Sequence, residues 1–117
     1  MLEIKSEELR LEVRINNKKK TFVQSKIPMK RALEYTEGEI DLFKTAVEEG
    51  RPGATEAELL DFRVGFVAKL FDDDDVTKEL LLEELDTNEQ KAIVAIINGR
   101  VLGNEPNDEG INEDPKD

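Results

Sequence analysis

The sequence predicts a mostly α-helical fold with an N-terminal β-hairpin packed on a bundle of about four helices, and three observations carry that prediction. Leu9, Leu11, Val13 and Ile15 alternate with Arg10, Glu12, Arg14 and Asn16, the period of a strand with one apolar face. Met29, Leu33, Thr36, Ile40, Phe43 and Val47 then follow steps of four and three, the period of a helix. Finally, Phe62 to Leu102 is dense in apolar residues and is broken only by an acidic knuckle, Asp72-Asp73-Asp74-Asp75, and by short polar stretches. The rest of the chain reads as attachments to that last block.

Residues 9 to 24 read as the hairpin. Asn16-Asn17-Lys18 can supply turn positions with positive φ, and Thr21-Phe22-Val23 is β-branched and aromatic. Two strands alone are marginal in water. They must lie on the helices or add an edge to another chain, and Lys18, Lys19 and Lys20 discourage indiscriminate pairing at that edge.

Ile27-Pro28 opens the first helix, expected over about 28–49, because proline suits the opening turn and the residue before it is pushed out of the helical region. Gly38 is a soft spot costing about 1 kcal/mol. The apolar stripe is read as a face packed on the core rather than as a coiled coil, since it covers only about three heptads. Gly50-Arg51-Pro52-Gly53 ends the helix.

Thr55 and Glu58 fit a capping box for a helix over 56–71, the inner member of the bundle, in which Gly65 permits close approach of a neighbour. Asp74 or Asp75 should cap a short helix over 76–85, with Leu80, Leu81 and Leu85 on its buried side. Asp86, or Thr87 paired with Gln90, caps the last helix, over 88–102, and Gly103 terminates it. Residues 1–103 are thus expected to form a single domain. Residues 104–117 hold one aliphatic side chain, Ile111, and are expected to be a disordered acidic tail.

The chain has 117 residues, a length that supports one modest core. Its net charge of −11 argues against nucleic-acid binding and favours solubility. The charge is unevenly placed: residues 1–31 hold nine Lys/Arg and four Asp/Glu, whereas the remainder holds eight and twenty-four. A chain so divided can pair head to tail with its own copies. Met1 to Glu8 has no long apolar run behind a basic flank, and no charge-free stretch approaches the roughly 20 residues of a membrane span, so neither an export signal nor membrane association is expected.

Chemistry is hard to find. Without His or Cys there is no conventional nucleophilic triad and no thiolate metal site, and the phosphate-cradling glycine motifs are missing. The aspartate knuckle could attract a hard cation, but it lacks the spacing of a calcium loop and its side chains diverge, so it reads as a solvated capping loop or a charged docking loop. No carboxylate pair suited to hydrolysis stands out. The basic stretch Lys18-Lys19-Lys20 with Lys26, Lys30, Arg31 and nearby Phe22 reads as a solvated hairpin tip, or as an attachment point for another subunit's acidic surface. No catalysis, metal or cofactor is expected.

The whole layout resembles the tail assembly chaperones of long-tailed, siphovirus-type bacteriophages, in their short form. The residues that carry the resemblance are Ile27-Pro28-Met29-Lys30-Arg31-Ala32-Leu33, the segment Phe66-Val67-Ala68-Lys69-Leu70-Phe71 running into Asp72 to Val76, and the aliphatic helix around Ile93 to Ile97, within roughly residues 1–102. The resemblance implies a non-enzymatic factor of tail morphogenesis. Such a factor binds and solubilises the tape measure protein, helps recruit the major tail protein, works in the bacterial host cytoplasm and is not retained in the mature virion. A frameshifted longer form accompanies many such chains. Exposed members of the apolar helices are the candidates for client binding: Phe62, Phe66, Leu70, Phe71, Ile93 and Ile97. Homo-oligomer contacts, in an open-ended or spiral array, would fall to Leu11, Val13, Lys19 and Phe22 of the hairpin and to Asp73 and Asp74 of the knuckle. The rival readings are an acidic adaptor that mimics nucleic acid to inhibit a host protein, and a small metal-dependent enzyme working through Asp72 to Asp75.

Overall fold

The alternation at the N-terminus builds three strands, not two. A computed structural model describes residues 1–104, so the tail expected to be disordered lies outside the described residues but for Asn104. Strands β1 (Leu2–Lys5), β2 (Glu8–Ile15) and β3 (Lys18–Gln24) form one antiparallel sheet in that order. Both connections are two-residue turns whose central residues have positive φ: Ser6 and Glu7 (53° and 67°), then Asn16 and Asn17 (55° and 64°). Asparagine tolerates that region, which made the second turn legible. Serine followed by glutamate carries no such signal, and β1, with only Leu2 and Ile4 to alternate, is too short to show a period. Replacing Ser6 by Asn together with Glu7 by Gly should therefore raise stability by about 1 kcal/mol, read as a higher urea midpoint at unchanged slope.

The register aligns Leu2 with Leu11 and Leu11 with Phe22, placing three buried side chains in a row across the sheet. With Leu9 and Val13 they form a face that merges into one core with side chains from all four helices. The hairpin's apolar face is thus covered by the chain's own helices.

Helix α1 (Lys30–Glu48) is followed by α2 (Glu56–Leu70), α3 (Lys78–Glu84) and α4 (Gln90–Ile96). A 3-10 turn, Thr87–Glu89, leads into α4, and a π-helical turn, Ile97–Val101, leads out of it. α2 is the inner member, as expected, burying Val64, Phe66, Val67, Ala68 and Leu70. It packs on α1, α3 and α4, while α4 also lies against β1.

The capping differs from expectation in one place. Neither Asp74 nor Asp75 caps α3; Thr77 does, its hydroxyl accepting from the Leu80 N–H at 3.1 Å. Val76 is buried, so the chain stays extended through it to reach the core before turning helical. Asp73 closes the turn before it, accepting at Oδ1 from the Asp75 N–H (2.9 Å) and at its carbonyl from the Val76 N–H (3.0 Å). Asp86 caps the 3-10 turn that leads into α4, and its box partner is Glu89: the Asn88 N–H donates to Asp86 Oδ1 (3.1 Å) and the Asp86 N–H to Glu89 Oε2 (3.0 Å). The other oxygen of Glu89 accepts from the Leu2 N–H at 2.7 Å, fastening helix start to sheet edge. Arg100 does the same at the far end, donating to the carbonyls of Glu7 and Ser25, each at 2.8 Å. Gly103, at φ +74°, ends the π turn.

Candidate interaction surface

α1 packs on α2 and the π turn, and its outward side is exposed among the described residues. What docks it is a line of four residues, Tyr35, Gly38, Leu42 and Ala46, of which Tyr35 and Ala46 are buried. Gly38 decides how close the helices come. A β-carbon there would sit 2.8 Å from Cε1 and Cζ of Phe62, so only glycine lets that ring lie against the α1 backbone. Tyr35 stacks in the same seam, with ring centroids 5.3 Å from Phe62 and, edge-on, 5.1 Å from Phe66. Its hydroxyl donates to Glu39 (3.2 Å) and accepts from Arg63 Nε (3.4 Å). Burial pushes the Tyr35 pKa above its usual value, against the hydrogen bond from Arg63.

The opposite face of α1 is the functional candidate, and it corrects the expectation that the stripe packs on the core. Met29 is 86% exposed, Leu33 66%, Ile40 59%, Val47 59% and Phe43 39%, and Thr36 is exposed between them. The physical reason is the choice of docking face. Gly38 and Ala46 bring α1 close to α2 on one side, which turns the large aliphatic residues of the other side into solvent. The result is an apolar seam about 27 Å long at the helical rise of 1.5 Å per residue, bordered by Lys30, Glu34, Glu37, Asp41, Lys44 and Glu48. Single exposed apolar residues are ordinary; an aligned row of them marks an interaction site.

The loop after α1 is built to hold the helix in place. Gly50, at φ +84°, follows the last turn; its N–H donates to the Val47 carbonyl (2.9 Å) and the Arg51 N–H to the Ala46 carbonyl (2.9 Å), a Schellman ending. The Arg51 guanidinium then forks onto both Glu58 oxygens (2.8 and 3.1 Å) and onto Glu49 (2.7 Å). Glu58 also accepts from the Thr55 N–H (2.8 Å) while Thr55 Oγ1 accepts from the Glu58 N–H (3.1 Å), completing the expected capping box. The Arg51 hydrogen bonds, with the Thr55 N–H, hold the Glu58 carboxyl down at about 2. Thr55→Ala should cost about 1 kcal/mol of stability by denaturant unfolding. Because the folded pKa of Glu58 lies below its unfolded value near 4.5, its contribution is complete above that pH and fades as pH falls toward 2. Glu58→Gln should flatten the stability curve across that window.

Most of the expected contact residues lie elsewhere. Phe66, Leu70, Phe71, Ile93 and Ile97 are buried, and Phe62 is half-buried. Phe62 and Phe66 line a shallow groove of about 340 Å³ with Gly65 and Lys78, whose ammonium pairs with Asp61 at 3.1 Å. Among the hairpin candidates, Leu11, Val13 and Phe22 face the core, whereas Lys19 is exposed and lies 3.7 Å from Glu12. Asp73 and Asp74 are exposed, and neighbouring Asp75 lies 3.9 Å from Lys20. The structure therefore brings neither set together into one surface patch. The seam on α1, whose spacing is legible in the sequence, is exposed where packing on the core was expected.

Among the described residues, no group of three or more acidic side chains is arranged to hold a metal ion, and no helix is long and apolar enough to cross a membrane. Comparison with curated proteins and with solved structures gives no match. A family comparison does: over residues 6–117 the chain matches the phage tail chaperone protein family, to which it belongs.

Proposed function

We propose that this chain keeps the tape measure protein of its phage soluble during tail assembly, by laying the α1 seam against the apolar face of a client helix. The observation that carries the reading is the exposed row Met29, Leu33, Ile40, Phe43 and Val47 on a helix whose other side is fastened. Helix-in-groove recognition uses anchors at this spacing. The net charge of −11 keeps the resulting complex in solution. Family membership supports a tail assembly role and a non-enzymatic one. Recruitment of the major tail protein, action in the bacterial host cytoplasm and departure before the virion is complete belong to the same proposal.

Co-expression tests it. The tape measure protein encoded with this chain should move from the pellet to the soluble fraction when the chain is present, and the two should co-purify. A tape measure protein that stays insoluble beside abundant, folded chain would overturn the reading.

A further inference from the structure

The charged border of the α1 seam is one-sided. Each residue advances about 100° around a helix, and measured from Met29 the seam keeps within about 40° of a single line. Lys30, Glu34, Glu37, Asp41, Lys44 and Glu48 all fall on one flank of that line, at about 60° to 140°. The other flank carries one charge, Glu39 at about 280°, together with half-buried Ala32 at about 300° and the seam's own Phe43 at about 320°. A trough runs beside this second flank. α1 and α4 both pack on α2, and between them Tyr35 and Glu39 on one side and Val94, Asn98 and Leu102 on the other line a cavity of about 260 Å³, which Arg63 of α2 also borders. Val94 is 41% and Leu102 39% exposed, so the far wall is apolar. Arg63 and Glu39 offset one another, each hydrogen-bonded to the Tyr35 hydroxyl (3.4 and 3.2 Å), so charge does not select what enters; shape and apolar contact do.

Resting on the function proposed above, we propose that the client helix of the tape measure protein lies in this trough, with the α1 seam as one wall and Val94 and Leu102 as the other. A helix astride α1 would cover the charged flank and strip water from its side chains, which costs free energy with no partner to offset it. A helix in the trough leaves all six of those charges in solvent. It also gains contacts on two sides, as helix-in-groove recognition requires. The five seam side chains expose on the order of 500 Å², or about 1,000 Å² with an equal share from the client, the lower edge of a specific interface; Val94 and Leu102 carry the total past about 1,200 Å².

Photo-crosslinking tests the placement. A benzophenone amino acid is placed at Asn98, in the trough, or at Glu37, on the charged flank, both exposed positions, in cells that also express the tape measure protein. The adduct with the tape measure protein is expected to be about tenfold more abundant from Asn98. Equal yields from the two positions, or an adduct between two copies of the chain in place of one with the client, overturn the trough. Val94→Glu combined with Leu102→Glu should lower the soluble tape measure protein about tenfold and move the melting temperature little, since both side chains already meet water. If that variant solubilises the client as well as the unaltered chain does, whereas glutamates at Leu33 and Ile40 abolish the effect, the trough is overturned and the proposed function stands. A tape measure protein left insoluble by the unaltered chain overturns the proposed function and the trough with it.

Discussion

Leu33→Glu combined with Ile40→Glu is expected to return the tape measure protein to the insoluble fraction while leaving the chaperone folded. Each of these side chains, if enclosed by a client helix, contributes about 1.5–3 kcal/mol, so losing both weakens binding by more than about 100-fold. Both already face water, so neither change opens a cavity nor buries a charge. Surface substitutions of this kind stay within about 0.5 kcal/mol, a shift of about 3 °C in melting temperature for a domain of this size. Two measurements on the same preparation therefore check it: a thermal melt that scarcely moves and a client that no longer stays in solution. A large fall in melting temperature would place the seam inside the fold and contradict the exposures seen here.

Ile96→Ala is expected to do the reverse. Ile96 is fully enclosed at the end of α4, within the core shared by sheet and helices. Truncating it removes buried methyl groups and leaves a void where α4 meets β1 and α2, at a cost of about 3 kcal/mol. Against a total stability of about 5–15 kcal/mol that is a severe loss, visible in urea unfolding as a midpoint shift. Ile40→Ala, the same change on the exposed seam, should move the midpoint little. The pair separates packing from function with one chemical substitution.

Much of the fold was legible because the local rules and the global one agree. The alternation in β2, the Asn16-Asn17 turn, the Thr55 and Glu58 box and the Gly50 and Gly103 endings each follow from backbone chemistry that operates within a few residues. What failed were choices between two faces. The spacing of Met29 to Val47 shows that one side of α1 is apolar, but burial depends on which side a neighbour covers. Here Gly38, Ala46 and Tyr35 won because the ring of Phe62 needs a missing β-carbon. A signal was present all the same: the seam is narrow, the small residues line up opposite it, and a lone tyrosine with charged partners suggests a packed, hydrogen-bonded position. By the same logic Phe66, Leu70, Phe71, Ile93 and Ile97, named for their hydrophobicity, are the residues that the fold itself consumes. The end of α4 hid its π turn because no residue type marks a hydrogen bond widened by one position, as the Leu102 N–H makes to the Ile97 carbonyl at 2.8 Å.

Tyr35 has a spectroscopic corollary. The chain contains one tyrosine and no tryptophan, so its tyrosine emission comes from a single ring, lodged between α1 and α2. α1 contributes two buried side chains against five from α2, so it is expected to lift away at less free energy than α2. Its amides should exchange with deuterium sooner than those of β2, and tyrosine fluorescence should respond at denaturant concentrations where the sheet is still intact. Lifting α1 bares Phe62 and Phe66, so the emission of one residue gives a direct gauge of how often the interior of the molecule is opened to its surroundings.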